Sequence, residues 1–380
     1  MSTYKGIRYA KAERFGLPQL EPALTSVDNI ETAIKICPQN PSRLTRVIGR
    51  SGDTEEQSED CLRLSVFTPS IIGDSINHKP SPINHNLPVL LWIHGGAYLT
   101  GSGLYPKYDA SELAEMGKMV VVCISYRLGC FGFLYDAENI PMNLGIADQV
   151  CALRWVKQNI HLFGGNPDDV TIFGQSAGGY SVLHHIANVR EPLFQKAIIA
   201  SAPFAKTSRR QMLKNTRLWY KIVEKNPTEC SVNEMLAAQA AVAKRGIGGM
   251  PFSAVCDDIC APHSVAPGLQ KVMLWCQQDD ALPFVPFRWL TKPITNLLFH
   301  WPMKKYASLL QSKGIEASWS VKTWRHGDSP FGAVHCMELP LVFGNYAIWK
   351  EAPFMQGVSK EEYATLARKM KEEIIEFVNN

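Results

Sequence analysis

Thr171-Ile172-Phe173-Gly174-Gln175-Ser176-Ala177-Gly178-Gly179-Tyr180-Ser181 decides the fold of this chain. The apolar run from Val170 to Phe173 reads as a short buried strand, and a helical stretch follows the glycines. Between them, Gly-Gln-Ser-Ala-Gly has the form G-x-S-x-G. A serine on so sharp a strand-to-helix turn projects its hydroxyl into a cleft. The small residues beside it let the backbone turn and let a reactant approach. Ser176 is therefore the candidate nucleophile.

Further strands read outward from this one at Val89–Ile93, Met119–Ser125, Lys196–Ser201, Lys271–Cys276 and Ala317–Trp324. Helical stretches alternate with them near 110–116, at Leu144–Asn159, within 208–245 and at Lys360–Val378. Such alternation implies an α/β fold with a mostly parallel sheet covered on both faces. In sheets of this kind active groups gather at the C-terminal strand ends. Residues 70–87 read as a polar surface loop. The 380 residues read as one domain, with 206–250 and 281–312 as helical cap or side segments. Residues 283–302 are aromatic and apolar. They read first as helix packing, and otherwise as a cleft wall or as an exposed patch for a partner or lipid surface.

Composition narrows the function classes. The chain is 46% hydrophobic, ordinary for a globular protein, and its net charge of +4 is spread without a basic block. No nucleic-acid footprint is present. The first residues, MSTYKGIRYAKAERF, lack an apolar signal core, and no run approaches the length of a membrane span. A cytoplasmic protein without an integral membrane segment is expected. Of ten cysteines, Cys123, Cys151 and Cys276 sit in apolar segments and read as buried thiols. Cys256, Cys260 and His263 fit no common zinc spacing and lack a fourth ligand, so no metal is expected.

A serine hydroxyl needs a base to take its proton. Around a G-x-S-x-G turn the partners follow in the order serine, acid, histidine. His300, His326 and His335 come late enough. His326, in Arg-His-Gly-Asp, reads as a surface turn, whereas a glycine-bearing loop leads into His335. The acid belongs after a strand, and Lys271–Cys276 is followed by Gln-Gln-Asp279-Asp280. One of these aspartates would orient the imidazole and stabilise the imidazolium. Backbone N–H groups must meet the developing oxyanion. His94-Gly95-Gly96-Ala97-Tyr98 follows the strand ending at Ile93, so Gly96 and Ala97 are the candidate donors, joined by Ala177 after the serine.

Together these residues resemble the type-B carboxylesterases, the family of the cholinesterases and the para-nitrobenzyl esterase-like bacterial enzymes. Gly6-Ile-Arg-Tyr-Ala10, Ser58-Glu-Asp-Cys-Leu62, Trp92-Ile-His-Gly-Gly-Ala97 and Tyr126-Arg-Leu-Gly match its motifs in order. Asn143-Leu-Gly-Ile-Ala-Asp-Gln149, Phe163 through Gly179, and His335-Cys-Met-Glu-Leu-Pro-Leu-Val-Phe-Gly-Asn345 continue the series. The resemblance implies an α/β-hydrolase fold and a serine carboxylesterase working through an acyl-enzyme, with no cofactor. It implies Ser176, Asp280 and His335 as the triad. Because Asp279-Asp280-Ala281 replaces the family's Asp-Glu-Gly, Asp279 stays as the alternative acid.

Ser201 matches a serine that supports the triad acid. Arg14 and Glu59 match a structural ion pair, and Cys37 and Cys61 match a disulfide that a reducing cytoplasm would keep open. The chain lacks the hairpin that usually precedes Gly6 and is short on both sides of His335. A reduced helical cap and a more open gorge are therefore expected. No aromatic residue lies between Cys37 and Cys61, and Gln175 stands where many relatives have Glu. Quaternary ammonium recognition uses an aromatic cage, so choline esters are poor candidates. The expected partner is a small ester, acted on by a monomer or small homo-oligomer. Lipase, thioesterase and amidase chemistry use the same triad. A non-catalytic adhesion protein on this fold would have lost residues that this chain retains.

Overall fold

This computed structural model describes residues 1–28, 30–50, 54–70, 86–204, 207–245, 250–255, 262–325 and 331–380. The expected loop at 70–87 lies mostly outside the described residues, as do His326, Cys256 and Cys260.

Eight strands form one sheet: β1 (Ser2–Arg8), β2 (Arg63–Thr68), β3 (Leu87–Ile93), β4 (Val120–Ile124), β5 (Gly165–Gln175), β6 (Lys196–Ala200), β7 (Lys271–Gln277) and β8 (Glu316–Lys322). Their spatial order is β1-β2-β4-β3-β5-β6-β7-β8. The β1/β2 and β2/β4 pairs are antiparallel, and all pairs from β4 to β8 are parallel. A mostly parallel sheet was expected and is observed.

Alternate side chains of each central strand enter different cores. Leu91, Ile93, Val122, Ile172 and Ile199 face one apolar cluster. Leu90, Trp92, Val121, Phe173 and Ile198 face the other. A sheet buried on both faces replaces the usual alternation with continuous apolar runs, which is why these strands read clearly. On the second face, Phe173 packs edge-on against Trp92 at 4.8 Å and Trp275 at 5.5 Å. Each such pair contributes about 0.5–1.5 kcal/mol beyond burial.

Helices cover both faces. α1 (Ser111–Gly117) and the C-terminal α8 (Lys360–Asn379) pack on the Trp92 side. α2 (Leu144–Asn159) and α3 (Ala177–Asn188) pack on the other. The expected helices within 208–245 are α4 (Arg209–Val223) and α5 (Val232–Arg245). Thr291–Thr295, a π-helical turn at Asn296–His300 and α6 (Trp301–Ser312) form a nearly continuous helix. α7 (Leu339–Phe343) follows the His335 loop.

Strands β1 and β2 are absent from the sequence reading. In β2 the buried Arg63 interrupts the apolar pattern; it donates to the Gly6 carbonyl at 3.0 Å and to Asp60 at 2.7 Å. Those bonds satisfy a guanidinium inside the sheet edge, and the pattern that results is not a simple apolar strand. β5 starts earlier than Val170, because Leu87 pairs with Gly165 in addition to the core register.

Candidate active site

The turn at Ser176 is built from backbone contacts. Ser176 sits at φ 58°, ψ −123°, between the end of β5 and the first residue of α3. That conformation is strained for a residue with a Cβ and persists only where its surroundings hold it. The Ser176 N–H donates to Ala200 O at 2.9 Å, anchoring the turn to the next strand. A Cβ on Gly174 would overlap the Gly178 carbonyl, and one on Gly178 would overlap Ile93 O. Both glycines of the motif are thus required by contact.

The loop after β3 runs beside this turn. Gly96, Ala97 and Tyr98 take φ values of 113°, 57° and 58° in succession. Among the described residues the Gly96 and Ala97 N–H groups find no protein acceptor. Ala177 is the first residue of α3, where a helix leaves its N–H groups without intrahelical partners. The loop is pinned by Tyr98, whose hydroxyl meets Ser181 Oγ at 2.9 Å one turn into α3, and whose carbonyl accepts from Gly129 N at 2.6 Å.

His335 reaches Ser176 from the far side. Its Nε2 lies 2.8 Å from Ser176 Oγ, and its Nδ1 lies 2.7 Å from Asp280 Oδ1. Asp280 is fully buried, and its Oδ2 accepts the Gln277 N–H at 2.8 Å. Asp279 turns elsewhere. Its N–H donates to Ala333 O at 2.9 Å, and its Oδ2 accepts the Ala333 N–H at 3.1 Å. The two aspartates therefore differ in what they hold: Asp280 holds the ring and Asp279 holds the loop that carries it. His300 is remote from Ser176 in bonding terms, with its Nε2 against Gln277 O at 2.9 Å.

Several neighbours complete the arrangement. Gln175 Nε2 lies 3.4 Å from His335 Nε2 and donates to Cys336 Sγ at 3.4 Å. A neutral amide thus occupies this position beside the serine. Phe284 and Phe299 stand 5.2 and 5.7 Å from the His335 ring. Part of the 283–302 segment therefore lines the site, and Phe299 is at the same time core. Gly95 and Gly96 also border a small open cleft, together with Gln39, Leu44, Gln57, Tyr108, Gln175 and Trp349.

Ser201 differs from its expected role. Among the described residues its hydroxyl has no hydrogen-bond partner, and its N–H donates to Trp275 O at 2.8 Å. The Gln277 backbone, not Ser201, supports Asp280. Arg14 and Glu59 pair as expected, with Arg14 Nε 2.9 Å from Glu59 Oε2, and Arg14 also reaches the carbonyl of Pro227. Cys37 and Cys61 are buried free thiols, not a disulfide. The hydrogen bond that the Cys61 thiol shares with Cys37, together with burial, pushes the Cys61 thiol well up. His94 stacks on Tyr126 at 4.4 Å, and burial lowers its pKa to about 4.

Glu338 is the residue that the sequence reading passed over. It is buried, accepts from Gln277 Nε2 at 2.9 Å through one oxygen, and among the described residues has no partner at the other. Burial and the nearby Asp280 raise its pKa to about 7. Gln277 thus bridges two carboxyl groups, one through its backbone and one through its side chain. A charged residue three positions after His335, inside an otherwise apolar run, was the available signal. Among the described residues, no group of His, Cys, Asp and Glu is arranged to hold a metal ion, and no helix is long and apolar enough to cross a membrane.

Residues 1–241 match the model of the carboxylesterase family. The chain is 32% identical to a probable N-octanoylanthranilate hydrolase from Rhodococcus erythropolis, over all of this chain and 89% of that protein. It is 33% identical to a para-nitrobenzyl esterase from Bacillus subtilis, over 90% of this chain and 79% of the other. A solved para-nitrobenzyl esterase structure superposes with a TM-score of 0.83 at 28% identity, covering all of this chain and 87% of that one. With its eight-stranded sheet and its motifs in order, this chain belongs to the type-B carboxylesterase family and is a carboxylic-ester hydrolase of the α/β-hydrolase fold.

Proposed function

We propose that Ser176, His335 and Asp280 are the catalytic triad, and that the Gly96, Ala97 and Ala177 N–H groups form the oxyanion hole. The observation that carries this reading is the unbroken relay of 2.8 and 2.7 Å from serine through imidazole to a buried carboxylate. His335 Nε2 takes the Ser176 proton as Oγ attacks the ester carbonyl. The tetrahedral oxyanion then faces N–H groups that have no competing protein acceptor, and stabilisation of this kind is typically worth about 3–4 kcal/mol per donor. His335 returns the proton to the leaving alcohol, and the same base activates the water that releases the acid. Asp280 is the acid rather than Asp279, because only Asp280 meets the ring.

The substrate class follows from the walls. Phe284 and Phe299 beside His335 suit medium-length or aromatic acyl groups, and the cleft past Gly95 is partly amide-lined. The similarity to a probable N-octanoylanthranilate hydrolase supports a medium acyl chain. The whole chain acts as a single catalytic domain, with 206–250 and 281–312 as side segments. It works as a monomer or small homo-oligomer in the reducing cytoplasm, where Cys37 and Cys61 stay unpaired.

The test is turnover of p-nitrophenyl acetate through octanoate, with N-octanoylanthranilate alongside, by the wild type and by Ser176→Ala. Rates that rise toward the longer acyl groups and vanish in the variant support the assignment. Equal rates in both proteins would remove Ser176 as the nucleophile.

A further inference from the structure

Between Asp280 and Glu316 the sequence contains no acidic residue, yet it contains Arg288, Lys292, Lys304, Lys305 and Lys313. The same stretch holds every exposed phenylalanine and tryptophan among the described residues. Phe284 is 54% exposed, Phe287 59%, Trp289 73% and Trp301 63%, with Leu297 at 56%. Water-exposed aromatic side chains on this scale are not scattered singly over the surface, as an ordinary exterior would have them.

Their placement is ordered. Phe287 stacks on Trp289, with ring centroids 6.3 Å apart, rather than folding into the core. Pro293, Leu297 and Trp301 follow at four-residue spacing on the outer stripe of one nearly continuous helix. Lys304 and Lys305 stand one turn further on, both exposed. At its inner end the patch touches the site, because Phe284 packs edge-on against His335.

We infer that this face docks the protein on a lipid surface bearing negative charge. Tryptophan and phenylalanine are the side chains suited to the boundary of headgroups and acyl chains. Basic residues of the same stretch, which has no acid between Asp280 and Glu316, supply the attraction to anionic lipid. A second copy of the chain is a poor occupant of the same face. It would set lysines against lysines, with no carboxylate from this stretch to answer them. Once docked, the enzyme holds Phe284 and the mouth of the site toward the lipid, so an apolar ester reaches His335 without crossing bulk water. The inference rests on the surface and does not need the triad assignment.

The experiment is co-flotation of the full chain with vesicles of mixed phosphatidylcholine and phosphatidylglycerol, against pure phosphatidylcholine, at low and high salt. Two variants accompany it: Trp289→Ser/Trp301→Ser, and Lys292→Gln/Lys304→Gln/Lys305→Gln. Turnover of soluble p-nitrophenyl acetate checks that each remains folded. Binding to the mixed vesicles is expected, weakened by salt. The tryptophan pair should reduce it about tenfold or more, and each lysine removed should reduce it about fivefold. Absence of binding to both vesicle types overturns the inference. So does a dimer in sedimentation that the tryptophan pair converts to monomer, since a second copy then covers the face.

Discussion

The two sides of the active site are held in different ways. On the Ser176 side, position comes from backbone. Ser176 is bonded through its N–H to Ala200, and glycines at 174 and 178 permit contacts that no side chain would allow. On the His335 side, position comes from long-range side-chain bonds: Asp279 to the Ala333 amide, Asp280 to the ring, and Glu338 to Gln277. A turn made by sterics is rigid and local. A loop held by carboxylates is adjustable, and its geometry depends on charge.

The largest effect should come from the rigid side. Ser176→Ala should lower kcat by about a millionfold, the scale seen when a triad nucleophile is removed. Gly178→Ala should be nearly as severe, because its Cβ would drive the α3 start away from Ile93. A folded Gly178→Ala enzyme with near-normal kcat would show that the turn tolerates movement, and the contrast between the two sides would fail.

The aspartates divide the second side. Asp280→Asn should cost about ten-thousandfold in kcat, as loss of the imidazole-orienting carboxylate does elsewhere. Asp279→Asn should cost far less, on the order of tenfold, with a lower melting temperature, since it trades a charge-assisted bond to the loop for a neutral one, a loss of about 1 kcal/mol. Steady-state kinetics and thermal melts of both variants check this. The reverse ranking would make Asp279 the acid.

The smallest effect, and the most specific to this side, concerns Glu338. Its folded pKa of about 7 lies above the ordinary 4.5. The native state therefore binds this proton more tightly than the unfolded chain does. The resulting stability is fully present below about pH 4.5 and is lost as pH rises through about 7. Glu338→Gln should remove that dependence, so the stability difference between wild type and variant should shift against the wild type between these two pH values. Urea melts at several pH values measure it. Parallel curves for the two proteins would place the Glu338 ionisation outside this window.

The same contrast decides which features are legible in the sequence. Ser176, Gly96 and Ala97 stood out because sterics force small residues into short, recognisable strings, and β3 to β7 because a doubly covered sheet forces unbroken apolar runs. Asp279 and Asp280 could not be separated by pattern alone, because a one-residue step along the chain decides which carboxylate meets a ring that lies far away in sequence. Glu338 carried no local meaning until Gln277, on a different element, was placed against it. Ser201 was carried over from relatives; among the described residues its hydroxyl makes no hydrogen bond, and the Gln277 N–H is what meets the second oxygen of Asp280. Strand β2 was lost behind Arg63, one of whose partners, the Gly6 carbonyl, is distant in sequence.

The most direct test of the triad is active-site titration with diethyl p-nitrophenyl phosphate followed by peptide mass mapping. One equivalent of p-nitrophenolate, one diethylphosphoryl group on Ser176, and no reaction in His335→Ala is the expected result. Stoichiometric labelling at another residue, or undiminished labelling of Ser176 without His335, would contradict the account.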